Sequence, residues 1–292
     1  MLTYSGALSL YQTLTKNSDA KNTTLFNVTY NEAIRQICSS FSWYFLQKSY
    51  TADTVDSQQS YVLPYDFKKL SSVTVTVGTS VYRPLEINTR KIWDNLNSCS
   101  STESDQPDYY YIFDNKIYLY PTPSSSGNTI TIIYKKRVID LNIADYAIGT
   151  LTVTNGSAAV VGAGTTFTAA MVGRWIETTD DKGWYRISAF TDATHITLAN
   201  EFTGTTAAGA AFTIGEITEI PEDFQLAPIY KAVSQFWLYN DGDKKYEYFN
   251  NMYLELNEQM KSYAGSITET VSVEEDGIDN IAEYFNPSIS AS

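Results

Sequence analysis

The sequence predicts an α+β fold in which helices from both ends of the chain form one bundle and the β-structure is inserted between them. Three observations carry this reading. Apolar residues recur at helical spacing near both termini, the period changes to two between about 61 and 138, and residues 148–217 turn to short strands rich in Gly, Ala and Thr. In order, residues 1–50 supply the N-terminal helices, 51–140 an antiparallel β-domain, and 148–217 a small inserted β-barrel or sandwich. Residues 221–265 supply the C-terminal helices and 266–292 an extended acidic tail.

Length and composition bound the function. A chain of 292 residues with 43% hydrophobic content can bury a core for two domains with an inserted module. The net charge of -13 argues against stable phosphate binding, because nucleic-acid affinity comes largely from Lys and Arg releasing counterions. It does not prevent the protein from surrounding DNA without gripping it. Cys38 falls on an apolar helical face and Cys99 in a Ser-rich loop, which points to a reducing compartment without a disulfide. The opening "MLTYSGALSLYQTL" lacks the basic flank and unbroken apolar run of a signal peptide. No run of about 18 apolar residues is present, so no membrane-spanning helix is expected.

Ala7, Leu10, Tyr11 and Leu14 mark a first helix over 5–16. A second is expected near 29–47, opened by a capping box of Thr29 and Glu32 and faced by Tyr30, Ile34, Ile37, Cys38, Phe41, Tyr44 and Phe45, with Trp43 widening the stripe. "SSVTVTV" and "VYRPL" then read as strands, followed by a short helix with Ile92, Trp93 and Leu96.

The most informative stretch is "YYYIFDNKIYLYPTP", residues 109–123. A two-residue turn at Asp114-Asn115 pairs Phe113 with Lys116, Ile112 with Ile117, Tyr111 with Tyr118, Tyr110 with Leu119 and Tyr109 with Tyr120. One face then carries Tyr110, Ile112, Ile117 and Leu119, an ordinary core set. The other carries Tyr109, Tyr111, Phe113, Lys116, Tyr118 and Tyr120. That second face suits an interface, since Tyr offers area at low entropy cost and keeps a polar handle. The competing reading is a strand pair buried on both sides.

Within 148–217, strands are expected at "TLTVT", "AAVVG", "GRWIET", "WYRISAF", "HITLA" and "AAFTIG", separated by turns such as Asn155-Gly156 and Lys182-Gly183. The single histidine, His195, has no second ligand type nearby and reads as strand surface. Pro221, Glu222 and Asp223 are expected in the first turn of the next helix, kinked early by Pro228. Tyr246, Phe249, Tyr253, Leu256, Met260 and Tyr263 form a seam that ends before Gly265, fitting either a neighbouring helix of the same chain or another subunit. The tail holds Glu269, Glu274, Glu275, Asp276, Asp279 and Glu283 and no Lys or Arg, a composition that does not fold alone. Its anchors Ile278, Ile281, Tyr284 and Phe285 stand at i, i+3, i+6 and i+7, as in a segment that docks on a partner. An unused terminus is the alternative.

No catalytic constellation stands out. The chain lacks a Gly-rich phosphate loop, G-x-S-x-G and H-E-x-x-H, and the pairs Glu274-Glu275 and Asp180-Asp181 read as tail and solvated turn. No catalytic residue, metal site or cofactor is expected.

The order of "FSWYF", "YVLPYDFKKL", "YRPLEI", the Trp93 helix, "YYYIFDNKIYLYPTP" and "ITIIYKKRV", closed by C-terminal helices, resembles the head-to-tail adaptor (connector) proteins of tailed bacteriophages, including tail tubular and head-completion proteins. "VTNGSAAVVGAGTTFTAAMVGRWIE", "ATHITLANEFTG" and "AAFTIG" look like the small β-domain inserted in such proteins. The resemblance implies a virion protein made in the host bacterial cytoplasm. It implies a homo-oligomeric, commonly dodecameric ring at the head-tail junction, with the portal protein above and a tail or nozzle protein below. Double-stranded DNA would pass through the ring without specific binding, and the C-terminal segment would dock on the portal. A carbohydrate- or receptor-binding tail module is the alternative, because exposed aromatic rings also stack on sugars.

Overall fold

The computed structural model describes residues 1–98, 103–179, 181–240 and 243–284, with 266–284 described as helical backbone alone. The chain divides into two compact units, Trp43–Val138 and the remainder, Met1–Ser42 with Ile139–Ser292. It is a mixed α+β protein.

Helix α1 (Tyr4–Thr15) is capped by Thr3, whose hydroxyl accepts the Gly6 amide at 3.1 Å, and ends where Lys16 turns left-handed at φ 54°. Helix α2 (Ala20–Ser40) starts nine residues earlier than the expected capping box. Thr29 lies inside it and donates its hydroxyl to the Leu25 carbonyl at 2.8 Å. The early turns are polar in sequence yet packed: Asn22 is buried and accepts the Tyr11 hydroxyl at 2.7 Å. Tyr30, Ile34, Ile37 and Cys38 are buried as their spacing predicts, but the helix stops at Ser40. Phe41 is extended and a 3-10 turn at Tyr44–Leu46 leads directly into a strand.

The second unit follows, with β1 (Gln47–Asp53), β2 (Ser60–Val62), β3 (Phe67–Val77), β4 (Ser80–Tyr82), β5 (Leu85–Glu86), α3 (Arg90–Ser98), β6 (Tyr109–Phe113), β7 (Lys116–Tyr120) and β8 (Thr129–Lys136). These strands form two four-stranded sheets, β1-β8-β3-β4 and β2-β7-β6-β5. Val73, Val75, Ile130, Ile132 and Tyr134 of the first share a core with Tyr61, Tyr110, Ile117 and Leu119 of the second. The domain is not wholly antiparallel: β5 runs parallel to β6, with Leu85 beside Tyr109. A parallel pair needs a crossover, and α3 supplies it.

In the first unit, β9 (Thr150–Val153), β10 (Ala159–Ala163), β11 (Trp175–Thr178), β12 (Trp184–Asp192), β13 (His195–Leu198), β14 (Ala207–Ala210) and β15 (Phe212–Gly215) form one sheet ordered β14-β9-β10-β13-β12-β11-β15. The expected strand "AAFTIG" is β15 at Phe212–Gly215, and its first residue, Ala210, closes a separate strand, β14, that the sequence reading did not place. The two strands stand at opposite edges of the sheet yet are separated only by Ala211, so the sheet curls into a half-barrel. Leu151, Val160, Phe167, Ile187, Ile196, Phe202 and Ile214 are among the residues that fill its interior. Gly149, at φ 93°, lets the chain enter: a Cβ there would stand 2.5 Å from the Ala163 carbonyl oxygen.

Pro221 precedes a separate 3-10 turn, Glu222–Phe224, and α4 (Leu226–Tyr239) begins after it. Pro228 therefore falls in the first turn of α4, where no intrahelical donor is needed, instead of kinking an established helix. Helix α4 packs against α1, α2 and the final helix, α5 (Asp243–Tyr284). The edge of Tyr11 meets Phe236 at 6.2 Å, Tyr230 meets Phe249 at 6.0 Å, and the Lys231 ammonium lies 5.1 Å over Tyr253. The seam thus serves a helix of the same chain, except that Ala264 is buried and Tyr263 is exposed. Helix α5 does not stop at Gly265 but continues to Tyr284, so 266–284 is helical and not extended.

Candidate functional site

The hairpin of β6 and β7 has the register its turn dictates, from Phe113 beside Lys116 to Tyr109 beside Tyr120. Asp114 and Asn115 both take positive φ, 49° and 55°, as a tight turn between twisted strands requires. Tyr110, Ile117 and Leu119 are buried on the core face. Burial, and then the Glu86 carboxylate beside it, pushes the Tyr110 hydroxyl up to about 12.

The aromatic face is neither core nor bare surface. Tyr109, Tyr111, Lys116, Tyr118 and Tyr120 are half-buried and Phe113 is 49% exposed. The cover comes from α3, the crossover helix. Trp93, 5% exposed, stacks on Tyr111 with ring centroids 5.5 Å apart and meets Tyr118 and Tyr120 edge-on at 6.1 and 6.4 Å. Tyr111 stacks in turn on Phe113 at 6.3 Å, and the Arg90 guanidinium lies 5.1 Å over the Phe113 ring. Arg90 is held by both carboxylate oxygens of Asp94, one helical turn on, at 2.8 and 3.1 Å.

Strand register extends this face beyond the hairpin. Val62 lies beside Lys116, which lies beside Phe113, and Leu85 lies beside Tyr109, so Val62 and Leu85 flank the aromatic rows on the same side. Val62 is 61% exposed and Leu85 66%. With Phe113 they leave an apolar margin around the Trp93 lid, and sequence reading missed both flanking residues. Their signal is weak: β2 and β5 have only three and two residues.

Of the tail anchors, Ile278, Ile281 and Tyr284 lie on the α5 backbone with side chains outside the described residues, and Phe285 lies wholly outside them. The structure therefore brings together the five hairpin residues and leaves the four tail residues without described contacts.

Elsewhere the chemistry is structural. Asp66 is buried, accepts the Tyr134 hydroxyl at 2.6 Å and pairs with Lys48 at 3.0 Å. Burial raises its carboxyl, but these two hydrogen bonds outweigh that and hold it below the usual range. His195 is exposed, with Nδ1 2.9 Å from Asp192 in the β12–β13 turn, and its hydrogen bond lowers the Asp192 carboxyl to about 2. Among the described residues, no three His, Cys, Asp or Glu side chains gather to hold a metal ion, and no helix is long and apolar enough to cross a membrane.

The family model for the SU10 adaptor protein matches residues 2–163, more than half of the chain, from α1 through the β-sandwich into β10. No curated protein matches. The chain belongs to the SU10 adaptor protein family: it is a bacteriophage head-tail adaptor, a structural protein of the virion that associates with other head and tail proteins.

Proposed function

We propose that this adaptor forms a ring, commonly of twelve subunits, below the portal, extends the DNA channel and bridges capsid to tail. The observation that carries the reading is the aromatic face of the β-sandwich. Its centre is packed by Trp93 while its margin of Val62, Leu85 and Phe113 remains open. A rigid aromatic patch with an apolar rim costs little entropy to bury and fits contact with a neighbouring subunit or the tail protein below.

The helices α1, α2, α4 and α5 form the wall of the ring, and the segment 266–292 docks on the portal through Ile278, Ile281, Tyr284 and Phe285. The acidic charge lets DNA slide past without adhesion. A sugar-stacking role is less well supported, because the indole best suited to it already has its face against Tyr111.

Deleting 266–292 tests the docking. The truncated chain should lose only the helical signal of 266–284, keep the unfolding midpoint of the rest of the chain and fail to co-sediment with portal rings. Full co-sedimentation of the truncated chain rejects the docking role.

A further inference from the structure

The three sheets end in six edge strands, and all but one of them are guarded. β2 and β4 have three residues each and β5 has two. β14 has four and shifts register between Ala208 and Ala210. β15 is covered by Tyr146, whose amide and carbonyl exchange hydrogen bonds with those of Ile214, both at 2.8 Å. Short, bulged or covered edges keep strands of separate molecules from pairing. β1 has none of these guards. Its seven residues, Gln47–Asp53, hold an unbroken register with β8 and include no proline. Its one lysine, Lys48, shares the sandwich side with Tyr50 and is paired with Asp66 at 3.0 Å.

The direction of the β1 peptide groups follows from the residue after it. The Thr54 amide donates to the Asn128 carbonyl at 2.7 Å, one pair beyond Asp53 and Thr129. Alternation along an antiparallel ladder then turns the peptide groups of Ala52, Tyr50 and Lys48 toward β8 and those of Asp53, Thr51, Ser49 and Gln47 away from it. Among the described residues no backbone group bonds to this outward row, and all of its residues are exposed.

We infer that β1 is a pairing edge through which two copies of the chain join antiparallel into one continuous sheet. The argument for a second copy is that the strand complements itself. A two-fold axis at Tyr50 sets Ser49 opposite Thr51 and Gln47 opposite Asp53 of the second copy, so outward peptide groups meet outward peptide groups. Hydroxyl then faces hydroxyl and amide faces carboxylate. Lys48 falls opposite Ala52, and no like charges meet. Tyr50, half-buried against the edge of the sandwich core, falls opposite its own copy and gains the cover that this edge lacks. Neighbours in a cyclic ring are not related by a two-fold axis, so this pairing belongs to the chain before it enters the ring and goes beyond the ring reading.

The test is sedimentation velocity of the full chain without portal, from about 1 μM to about 100 μM protein. Wild type should pass from monomer to dimer across this range. Thr51→Pro removes an outward amide, leaves the ladder to β8 intact and should raise the dimer dissociation constant by about tenfold or more. In case the proline impairs folding, Ser49→Lys with Thr51→Lys sets lysines opposite one another across the two-fold axis and should do the same. Tyr50→Cys reads the register: the two Cα atoms would stand about 4.5 Å apart, within disulfide reach. Mild oxidation should cross-link this variant well above the background that Cys38 and Cys99 give in wild type. Dimers that survive both edge variants, or a Tyr50→Cys chain that does not cross-link, overturn the inference. A wild type still monomeric at about 100 μM also overturns it, and if that chain stacks on portal rings the ring reading stands. Slowed hydrogen exchange at the Ser49 and Thr51 amides only when portal rings are present overturns it as well, and assigns the edge to a strand of another virion protein.

Discussion

Trp93 lies flat on Tyr111, with ring centroids 5.5 Å apart and planes inclined by 20°. This contact joins α3 to β6 across the parallel crossover and decides how the tyrosine-rich hairpin is used: its middle is an internal packing surface and its border is open. Trp93→Ala should therefore destabilise the Trp43–Val138 unit by about 3 kcal/mol, while Ile92→Ala, at an exposed neighbour, should change it by less than about 0.5 kcal/mol. Urea unfolding of the two variants checks this. Equal effects would show that α3 does not seal the face.

The margin of the face is the better place to probe assembly. Tyr111 and Tyr118 both support Trp93, so changing them to Ser should lower folding stability along with assembly. Val62→Ser, Leu85→Ser and Phe113→Ser together should instead weaken oligomer formation by at least tenfold, at a small cost in the unfolding midpoint. If the triple variant assembles normally, the margin is not an interface.

Asp66 gives the β-sandwich an acid limit. Its folded pKa lies below the unfolded value near 4, so the stability it contributes is complete above about pH 4 and is lost as pH falls toward the folded value. Asp66→Asn should remove this acid-side loss and lower stability at neutral pH by about 2 kcal/mol, mainly through the Tyr134 hydrogen bond. The Lys48 side chain is well exposed and adds little. Hydrogen exchange in β3 and β8 at pH 3 and pH 7 measures both effects, at pH values about one unit below and three above the carboxylate range.

Asn31 ties α2 to the chain entering the half-barrel. Its side chain donates to the Leu141 carbonyl and accepts the Leu141 amide, both at 2.9 Å. Asn31→Leu leaves both groups unpaired and should cost about 2 kcal/mol, with faster exchange at the Leu141 amide. Unchanged protection at Leu141 would contradict this.

Much of the fold was legible because local rules and tertiary packing agreed. The Asp114-Asn115 turn dictates every pair of the hairpin, and the strands from "TLTVT" to "HITLA" stand where alternation and turns place them. Three features were hidden for physical reasons. The start of α2 is polar in sequence, and only the Tyr11 contact shows why Asn22 is inside. Gly265 costs a helix only about 1 kcal/mol, so α5 runs through it. The lid of Trp93 depends on β5, a two-residue strand whose parallel partner lies 24 residues on, and no periodicity reports such a pairing. The open margin at Val62 and Leu85 was hidden with it.

The central claim is that this chain works as a ring assembled on the portal. Negative-stain electron microscopy of the purified protein mixed with portal rings tests it most directly. The account predicts a second ring stacked coaxially on the portal, absent when residues 266–292 are removed. A chain that remains monomeric beside undecorated portals would contradict it.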